Sequence, residues 1–347
     1  MQHIKIEQIT AREIINGRGI PTVEAIVQCG SGITARAAAP SGISVSDHEA
    51  IDLRDGDSRF MGKGTQKAVS NIKHIIAPAL RGMSVFSQEE IDRKMIEIDG
   101  TQNRSYLGGN AMIAVSVAVA KAAAAARQLP LYAYLGGTEA HEIPILCPNL
   151  ISGSKTAGNH LDFEDFLVVP HGFDTFSESI RAVVEVFHIL YQRLCREYGL
   201  IAQITALAPP LYRNEDAFDF LSEAIREAGY EGKIGFAVDV ASGLIYNREN
   251  GLYEMEGGNR SREELISYYA DLCRNYPIHF IEDGVWEEDY DGFRMMKESL
   301  PPWIVGDDIF ATNESRLRLG YKKNAGNGNE MEPNDGNRGA AGQSVCI

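Results

Sequence analysis

The sequence predicts an α/β protein with an α+β first part and a second part in which strands alternate with helices. Three short hydrophobic runs open the chain, and glycine-containing turns separate them, so we expect an antiparallel meander there. The runs are Ile4 to Thr10, Thr22 to Val27 and Gly32 to Ala37. Further along, helical patterns alternate with short apolar runs, which is typical of βα units.

Three helices should complete the first part of the chain. Their apolar patterns run from Thr65 to Leu80, from Gln88 to Ile98 and from Gly109 to Arg127. The last helix ends ahead of Pro130, as helices tend to. Its Ala-rich stretch is the most membrane-like part of the chain, but Lys121 interrupts it and it is short for a spanning helix. We therefore expect a packed helix.

The second part should alternate strands with helices. The predicted strands are Ile143 to Leu146, Phe166 to Val169, Ile234 to Val238 and Ile278 to Ile281. The predicted helices are Ser177 to Glu197, Asp216 to Ala228 and Ser261 to Asn275, the last with a capping box in Ser261-Arg-Glu-Glu264. This alternation favours parallel βα units, arranged as a barrel or as an open doubly wound sheet.

Three hydrophobic runs of the second part end in carboxylates. The endings are Phe236-Ala-Val-Asp239, Phe280-Ile-Glu-Asp283 and Val305-Gly-Asp-Asp308. Any one of them is most simply a helix cap or a solvated strand end. Side chains at the C-termini of parallel strands share one mouth of the sheet, where three carboxylates repel one another unless a hard cation neutralises them. Oxygen ligands without His or Cys favour Mg²⁺ over zinc.

Composition limits the classes of partner. The chain has 347 residues and a formal net charge of −15, which argues against nucleic-acid and anionic-membrane partners because both require basic patches. Five cysteines are scattered without CxxC spacing, so neither a zinc knuckle nor a disulfide framework is indicated. Because the N-terminus also lacks the apolar core of a signal peptide, we expect a cytoplasmic protein.

Three motifs of the first part carry a family resemblance. They are Asn16-Gly-Arg-Gly-Ile-Pro-Thr-Val-Glu24, Ala39-Pro-Ser-Gly42 followed by Glu49-Ala-Ile-Asp-Leu-Arg-Asp-Gly56, and Gly108-Gly-Asn-Ala111 ahead of the Ala-rich helix. The first resembles the Asp-Ser-Arg-Gly-Asn-Pro-Thr-Val-Glu motif of the enolases, and the second resembles their mobile active-site loop. From about Ile4 to Asn313 the chain thus resembles the enolase family, the Mg²⁺-dependent 2-phosphoglycerate dehydratases of glycolysis.

The resemblance implies an enolase-like α+β N-terminal domain followed by a TIM-type barrel. In the implied reaction a Lys removes a proton alpha to a carboxylate, Mg²⁺ stabilises the enediolate, and a Glu helps hydroxide to leave. Asp239, Glu282 and Asp307 fall on the family's three metal-ligand positions. Ser41 would help to close a second metal over the phosphate of a small phosphorylated carboxylate substrate, although a Ser in a Pro-Ser-Gly turn is otherwise simply a turn residue.

Several site positions depart from the family pattern. Leu207, within Thr205-Ala-Leu-Ala-Pro209, is assigned to the position of the Glu that assists hydroxide departure, and a leucine transfers no proton. Thr156 stands where the family has an active-site His, with Lys155 beside it. Glu164 and Asp165 stand where the family has a Gln-Glu pair. In the mobile loop, Val45 and His48 replace a Thr and an Arg. Loss of one general acid typically costs about 10²–10⁴ in rate. We therefore expect impaired turnover and no intact catalytic acid.

A larger departure follows Asn313, where the family continues through two strands that carry the base Lys and a Ser-His-Arg-Ser-Gly segment. This chain instead becomes polar and glycine-rich, so the tail should bury no strand and the barrel should lack its last strands. The predicted domains are the N-terminal domain over residues 1–138, a partial barrel over 139–319 and a disordered or aberrant tail over 320–347.

Two explanations of the tail stay open. The codons of Glu330 to Asp335 permit Lys-Trp-Asn-Gln-Met-Met when read one base later, which resembles the family's segment around the base Lys, so one hypothesis is that the tail is a frame-shifted reading of the missing segment. The other explanation is a naturally short paralogue with a disordered C-terminus. The corresponding alternatives to an impaired enzyme are a catalytically silent paralogue that acts in binding, and a damaged gene product. A homodimer, usual in the family, is a possible assembly.

Overall fold

The structure is a computed structural model that describes residues 4–42, 48–203 and 205–331. These residues form two compact units. The first unit contains the chain up to Glu142, and the second contains most of the chain from Ile143 onward. Each unit has its own hydrophobic core.

The first unit opens with the predicted meander. Its strands are β1 (Ile6–Ile15), β2 (Pro21–Cys29) and β3 (Ile33–Ala38), paired antiparallel in the order β1-β2-β3. The central strand contributes Val23, Ala25 and Val27 to the core, and none of these three side chains is exposed. A bulge lies near the start of β1, where the register with β2 shifts.

Five α-helices follow the meander. They are α1 (Gln66–Asn71), α2 (Ala77–Leu80), α3 (Gln88–Asp99), α4 (Gly109–Arg127) and α5 (Leu131–Gly136). A π-helical turn over Ile72–Ile76 joins α1 to α2, so the helix predicted from Thr65 to Leu80 is present but locally widened. Gly100 ends α3 in the left-handed conformation that glycine adopts without steric cost.

Helix α4 packs against the strands of the first unit, as predicted. Its alanines are mostly buried and allow close approach to β2 and β3. By length and composition alone, α4 is the one helix among the described residues that could cross a membrane, and most of it is buried inside the protein. The burial is typical of a core helix.

The second unit is built on an eight-stranded sheet and a two-stranded hairpin. The sheet order is β13-β12-β11-β8-β5-β4-β7-β6, and among the described residues it does not close into a barrel. The strands are β4 (Asn149–Ser152), β5 (Asp165–Val169), β6 (Ala202–Gln203), β7 (Leu207–Ala208), β8 (Gly235–Asp239), β9 (Tyr246–Asn247), β10 (Leu252–Tyr253), β11 (Ile278–Glu282), β12 (Trp303–Gly306) and β13 (Gly328–Asn329). The hairpin is formed by β9 and β10.

Strands β8, β11, β12 and β13 are parallel, as predicted for βα units. Strand β5 departs from this prediction because it runs antiparallel to both β4 and β8. A four-residue helix, α6 (Ser154–Ala157), lies between β4 and β5. Such a helix spans only about 6 Å, too little to carry the chain back along the sheet, so β5 returns in the opposite direction.

The strand predicted from Ile143 to Leu146 is wrong. This segment has no regular structure, and Ile143 and Ile145 are exposed. Pro144 and Pro148 cannot donate backbone hydrogen bonds to a ladder, so pairing begins only at β4.

Helices cover the sheet between its strands. They are α7 (Phe176–Tyr198), α8 (Asn214–Glu227), α9 (Arg262–Asn275), α10 (Tyr290–Ser299) and α11 (Glu314–Lys323). The capping box predicted for α9 is present, with Ser261 and Glu264 bonding each other's backbone N–H. Phe166, Phe218 and Phe236 lie in one core cluster, and the Phe218 ring meets each of the other two edge-on.

The segment after Asn313 is more ordered than its composition indicates. It forms α11 and then β13, which pairs in parallel with β12 through Val305 and Gly328. The prediction that the tail contributes no strand is therefore wrong for the residues up to Glu330. The pairing rests on backbone groups, which a polar, glycine-rich segment supplies as well as an apolar one. Residues 332–347 lie outside the described part of the chain.

Candidate functional site

Three carboxylates lie level with one another across three neighbouring strands. Asp239 ends β8 and is the register partner of Glu282, which ends β11. On the other side of β8, Asp165 begins β5 and is the partner of Asp239. Because β5 is antiparallel, its first residue meets the carboxyl ends of β8 and β11. The sheet thus places these three side chains side by side at one end of its strands.

Asp283 fixes the loop that carries the third predicted ligand. Its Oδ2 accepts hydrogen bonds from the backbone N–H groups of Asp307 at 3.0 Å and Asp308 at 2.7 Å. Asp283 itself has φ of 40°, a left-handed conformation that is uncommon outside glycine. These bonds hold the end of β12 beside the end of β11.

The carboxylates form two tight groups that share Glu282. In one group, Asp239, Glu282 and Asp283 each offer an oxygen, and these oxygens lie within 4.8 Å of one another. In the other group, Glu282, Asp307 and Glu330 meet the same limit. The structure therefore brings the predicted Asp239, Glu282 and Asp307 together, linked through the central glutamate.

Burial and mutual repulsion both act on this cluster. The pKa of Asp239 lies well above its ordinary value because the carboxyl is desolvated and faces Asp283, Glu164 and Asp165. Desolvation likewise raises the pKa of Glu282, with further contributions from Asp239 and from a hydrogen bond to Glu330. Such groups hold protons unless a cation replaces them, so the cluster is suited to exchange protons for a metal ion.

Asp165 is held by polar side chains from neighbouring segments. Its Oδ1 accepts hydrogen bonds from Asn149 and, at 3.0 Å, from Ser152. The Ser152 hydroxyl in turn lies 2.6 Å from the Thr205 hydroxyl. The pKa of Asp165 is raised to about 7, mainly by burial and also by the nearby Glu164, while the hydrogen bond from Ser152 opposes the shift. The predicted substrate-binding residues Glu164 and Asp165 thus border the cation cluster.

Leu207 lies away from this polar chemistry. It begins β7, pairs with Ile151 of β4, and is fully buried in the apolar core. In the same segment, the Thr205 side chain reaches the carboxylates through Ser152. The position that we assigned to a catalytic Glu is therefore occupied by a packing residue.

Thr156 and Lys155, which the sequence analysis also singled out, both lie in the short helix α6. Thr156 lies in α6, where its backbone N–H donates to the Ser154 hydroxyl at 3.2 Å. The Lys155 amine donates to the backbone carbonyl of Leu244 at 3.4 Å. Their roles toward a substrate stay predictions.

Ser41 belongs to the first unit. Arg18 donates a hydrogen bond of 2.7 Å to its backbone carbonyl, while its hydroxyl is buried without a hydrogen-bond partner among the described residues. A metal-closing role for Ser41 stays a prediction. Of the two loop exchanges, His48 is within the described residues and Val45 lies outside them.

The donor set fits Mg²⁺. Every side chain of the two groups offers carboxylate oxygen, which hard divalent cations prefer. Asp283 is almost fully buried, and its Oδ1 has no hydrogen-bond partner among the described residues. Leaving such an oxygen unsatisfied costs about 1–3 kcal/mol or more, which a cation bound at the cluster would offset.

Two members of the cluster were not predicted as site residues. Asp283 directly follows Glu282 in the sequence, and its left-handed backbone, invisible in the residue pattern, turns its side chain toward the next strand end. Glu330 lies in the segment that we expected to be a disordered or aberrant tail. The pairing of β13 with β12 brings it to Glu282 and Asp307.

Two family comparisons match nearly the whole chain. The model of the enolase N-terminal domain matches residues 6–135, and that of the enolase C-terminal TIM barrel domain matches residues 140–335. The second match continues past Asn313, where the sequence resemblance was expected to end. The similarity therefore includes α11, β13 and Glu330.

Curated relatives give the same result. The chain is 47% identical to the enolase of Methanopyrus kandleri over 331 residues, which cover 93% of this chain and 78% of the relative. It is 45% identical to the enolase of Methanocaldococcus jannaschii, with 94% and 78% covered, and 46% identical to that of Pyrococcus furiosus, with 93% and 77% covered. With both domains matched, the chain belongs to the enolase family.

Proposed function

We propose that the protein binds Mg²⁺ at the strand-end carboxylates and converts 2-phosphoglycerate to phosphoenolpyruvate slowly. The observation that carries the proposal is that Glu282 belongs to two groups of carboxylates. In each group the ligand oxygens lie within 4.8 Å of one another. Without a cation, the carboxyl groups of this cluster keep their protons to higher pH than usual and repel one another once ionised. Membership of the enolase family supplies the reaction and the substrate class.

A bound Mg²⁺ would stabilise the negative charge that develops on the substrate carboxylate when the alpha proton leaves. Asp239, Glu282 and Asp307 would hold the cation, and Asp283 orients the loop that carries Asp307. Glu164 and Asp165, beside the cluster, would contact the substrate. Asp165 has a pKa raised to about 7 by burial, so near neutral pH it can accept or donate a hydrogen bond to a substrate hydroxyl.

The expected impairment rests on the absence of a proton-transferring side chain at Leu207, and not on a contact of Leu207 with the carboxylate cluster. The side chain is fully buried among apolar residues and has no group that transfers a proton. If this position carries the hydroxide-departure acid in relatives, its loss slows the reaction by about 10²–10⁴. Thr156 at the position of the family His removes a second group that could donate a proton.

The proposed setting is the cytoplasm, with a small phosphorylated carboxylate as the partner and neither nucleic acid nor membrane involved. The net charge of −15 supports the last point because it disfavours binding to polyanions. A homodimer of the family type is compatible with this proposal.

The rate of phosphoenolpyruvate formation, followed by ultraviolet absorbance with and without Mg²⁺, tests the proposal. We expect a Mg²⁺-dependent rate that is at least about 10²-fold below that of the Methanopyrus kandleri enolase under the same conditions. The Asp239→Asn variant should lose the remaining rate. A rate equal to that of the relative contradicts impaired turnover, and a rate independent of Mg²⁺ contradicts the cation site.

A silent binding paralogue is the second candidate. Glu330 favours it because its carboxylate, beside Glu282 and Asp307, would strengthen cation binding without supplying a base for a weakly acidic carbon. This candidate predicts Mg²⁺-dependent binding of 2-phosphoglycerate with no phosphoenolpyruvate above the metal-free control. Calorimetric titration of 2-phosphoglycerate beside the absorbance assay separates the two candidates.

A further inference from the structure

A cleft of about 320 Å³ lies in the second unit, where the start of α8, helix α9 and the segment after β10 meet. This volume is at the lower end of the range found for small-molecule sites. Among the described residues, no strand-end carboxylate of the candidate metal centre lines the cleft, so the two places are separate. The charged and aromatic lining residues include Asp162, Tyr212, Glu215, Glu256, Arg260 and Tyr268.

Arg260 brings a guanidinium with unused donors to this cleft. Its Cζ lies over the Tyr268 ring, 4.7 Å from the ring centroid. Its Nε is buried and has no hydrogen-bond partner in the part of the chain that the structure describes. The guanidinium also forms no ion pair with a described carboxylate. Because buried donors that stay unbonded cost free energy, this fork of N–H groups favours an acceptor supplied from outside the protein.

Asp162 is the carboxylate of the cleft that responds to the Arg260 charge. Burial raises the pKa of Asp162, and the positive charge of Arg260 acts against that rise. The Asp162 Oδ1 accepts a hydrogen bond from the backbone N–H of Glu256 at 2.9 Å, and its Oδ2 accepts one from the Asn214 amide at 3.2 Å. Both oxygens are therefore bonded to groups other than the guanidinium.

The two other carboxylates of the cleft also have partners. Glu215 accepts a hydrogen bond from the Tyr268 hydroxyl at 3.1 Å and lies 3.6 Å from the Arg213 guanidinium. Glu256 lies 3.2 Å from Nδ1 of His160. Among the described residues, Arg260 is thus the cation of the cleft that no carboxylate matches.

The aromatic side of the cleft is held in place by the protein itself. The Tyr212 ring stacks on His160, with the ring centroids 4.4 Å apart and the planes 9° apart. Asn214, which is 1% exposed, donates a hydrogen bond of 3.3 Å to the Tyr268 hydroxyl. Met255 is buried and adds apolar surface to the lining. A site that is formed before binding loses less conformational entropy, so these walls favour a ligand with a flat apolar body.

We propose that this cleft binds a small organic carboxylate with a flat apolar body, and that the carboxylate pairs with Arg260. A planar guanidinium matches a carboxylate through two parallel N–H···O bonds. A phosphate dianion would bring a second negative charge toward the three carboxylates of the cleft, so a single charge fits better. The apolar body lies against Tyr212 and Met255.

Calorimetric titration of the full chain with sodium benzoate in the presence of EDTA tests the proposal. EDTA removes divalent cations, so benzoate cannot bind through a metal ion at the strand ends. We expect saturable binding with a Kd of about 1 mM or lower. Arg260→Gln should raise the Kd at least about tenfold, because it removes the charge-assisted pair. Arg260→Lys keeps the charge without the planar fork, so its Kd should be intermediate.

Arg226→Gln is the matched control. It makes the same change of charge on α8, at a side chain that is 61% exposed and does not line the cleft. This variant and Asp239→Asn should leave the Kd for benzoate unchanged. Circular dichroism and the Tm verify that each variant folds.

Benzamide, the neutral analogue of benzoate, should bind at least about tenfold more weakly to the parent chain. This comparison decides the matter if Arg260→Gln does not fold. Absence of saturable benzoate binding overturns the proposal, as does binding that a folded Arg260→Gln variant leaves unchanged. Equal binding of benzamide, or tighter binding of inorganic phosphate, overturns the assignment to a carboxylate. The readout is binding without metal, so the outcome is independent of the proposed turnover.

Discussion

Asp239 and Glu282 are register partners on the parallel strands β8 and β11, and their carboxyl groups lie in one cluster with Asp283. Carboxylates that face each other at the ends of parallel strands each raise the free-energy cost of ionising the other. The pKa values of Asp239 and Glu282 are both raised; desolvation is the main cause, and repulsion from neighbouring carboxylates adds to it. Once ionised, the clustered carboxylates repel one another, and a bound divalent cation would offset this repulsion.

Asp239→Asn should stabilise the metal-free protein and abolish its response to Mg²⁺. Asparagine carries no charge at any pH, so the variant lacks the repulsion that an ionised Asp239 experiences from Asp283, Glu164 and Asp165. We expect the Tm without metal to rise by a few degrees, corresponding to about 1 kcal/mol, and the Mg²⁺-induced rise to disappear. Differential scanning fluorimetry with MgCl₂ or EDTA checks both effects. Glu249→Gln, at an exposed turn, is the control and should behave as the parent chain does.

The stabilising effect of Mg²⁺ should grow with pH. Desolvation raises the pKa values of Asp239, Glu282 and Asp283 in the folded state, so the folded protein holds protons that the unfolded chain releases. Without a cation, stability therefore falls as the pH rises above the ordinary carboxyl value and through the raised folded values. Mg²⁺ competes with these protons. Melting curves with and without Mg²⁺ should differ more at pH 8 than at pH 5, and an equal difference at both pH values refutes the cation site.

Glu330→Gln should weaken Mg²⁺ binding. Glu330 hydrogen-bonds Glu282 and lies in the group that contains Asp307. The number of charged ligands tunes divalent-cation affinity, so loss of one carboxylate should raise the Kd by about tenfold. Glu330→Lys should raise it further because it places a positive charge beside the cation. If both variants bind Mg²⁺ as tightly as the parent chain, the tail does not contribute to the site.

Glu13 should support the first unit in a pH-dependent manner. Burial alone would raise its pKa, but Arg59, which donates at 2.6 and 2.7 Å, and the Thr65 backbone N–H, at 2.6 Å, together lower it. A lowered folded pKa adds stability above the ordinary value near 4.5, and this stability is lost as the pH falls through the folded value.

Replacement of Glu13 by Gln should therefore cost about 2 kcal/mol at pH 7, and this cost should shrink at acid pH as the pH falls through the lowered folded pKa of Glu13. Urea unfolding at the two pH values measures it. Glu139→Gln, at an exposed position of the same unit, should cost almost nothing at either pH. A cost for Glu13→Gln that persists unchanged at acid pH argues against the ionic contribution.

Leu207 should behave as a core residue. Leu207→Ala should lower the free energy of unfolding by about 2–5 kcal/mol, because the side chain is fully buried. Leu207→Glu should destabilise at least as much, since it buries a charge among apolar neighbours, and it should restore no turnover. Leu200→Ala is the control, as Leu200 is 90% exposed. Faster formation of phosphoenolpyruvate by Leu207→Glu would show that the side chain reaches the reacting groups.

Local patterns in the sequence predicted most elements but not the direction of every strand. The meander, the long helices and the acidic strand endings follow from periodicity over a few residues. Strand β5 was predicted as a strand, yet its antiparallel direction depends on the short helix α6, which periodicity does not reveal. The Ile143 segment has the residues of a strand, but its prolines remove the donors that pairing requires.

In the candidate site, too, local sequence patterns predict some residues, whereas others reach the site only through backbone conformation or strand pairing. The three acidic strand endings were predictable because each follows a hydrophobic run, and the family resemblance selected Asp239, Glu282 and Asp307 among them as ligands. Asp283 joins them through a left-handed backbone, and Glu330 joins them through a strand pairing made by a polar segment. Neither feature has a signature in residue type, since composition indicates burial of side chains and not pairing of backbone groups.

Isothermal titration calorimetry of the full chain with MgCl₂ at pH 8 tests the cation site most directly. We predict saturable binding, release of protons detectable as a dependence of the heat on the buffer, and loss of both signals in Asp239→Asn. Absence of saturable heat, or binding that Asp239→Asn leaves unchanged, would contradict the assignment of the strand-end carboxylates as the metal centre.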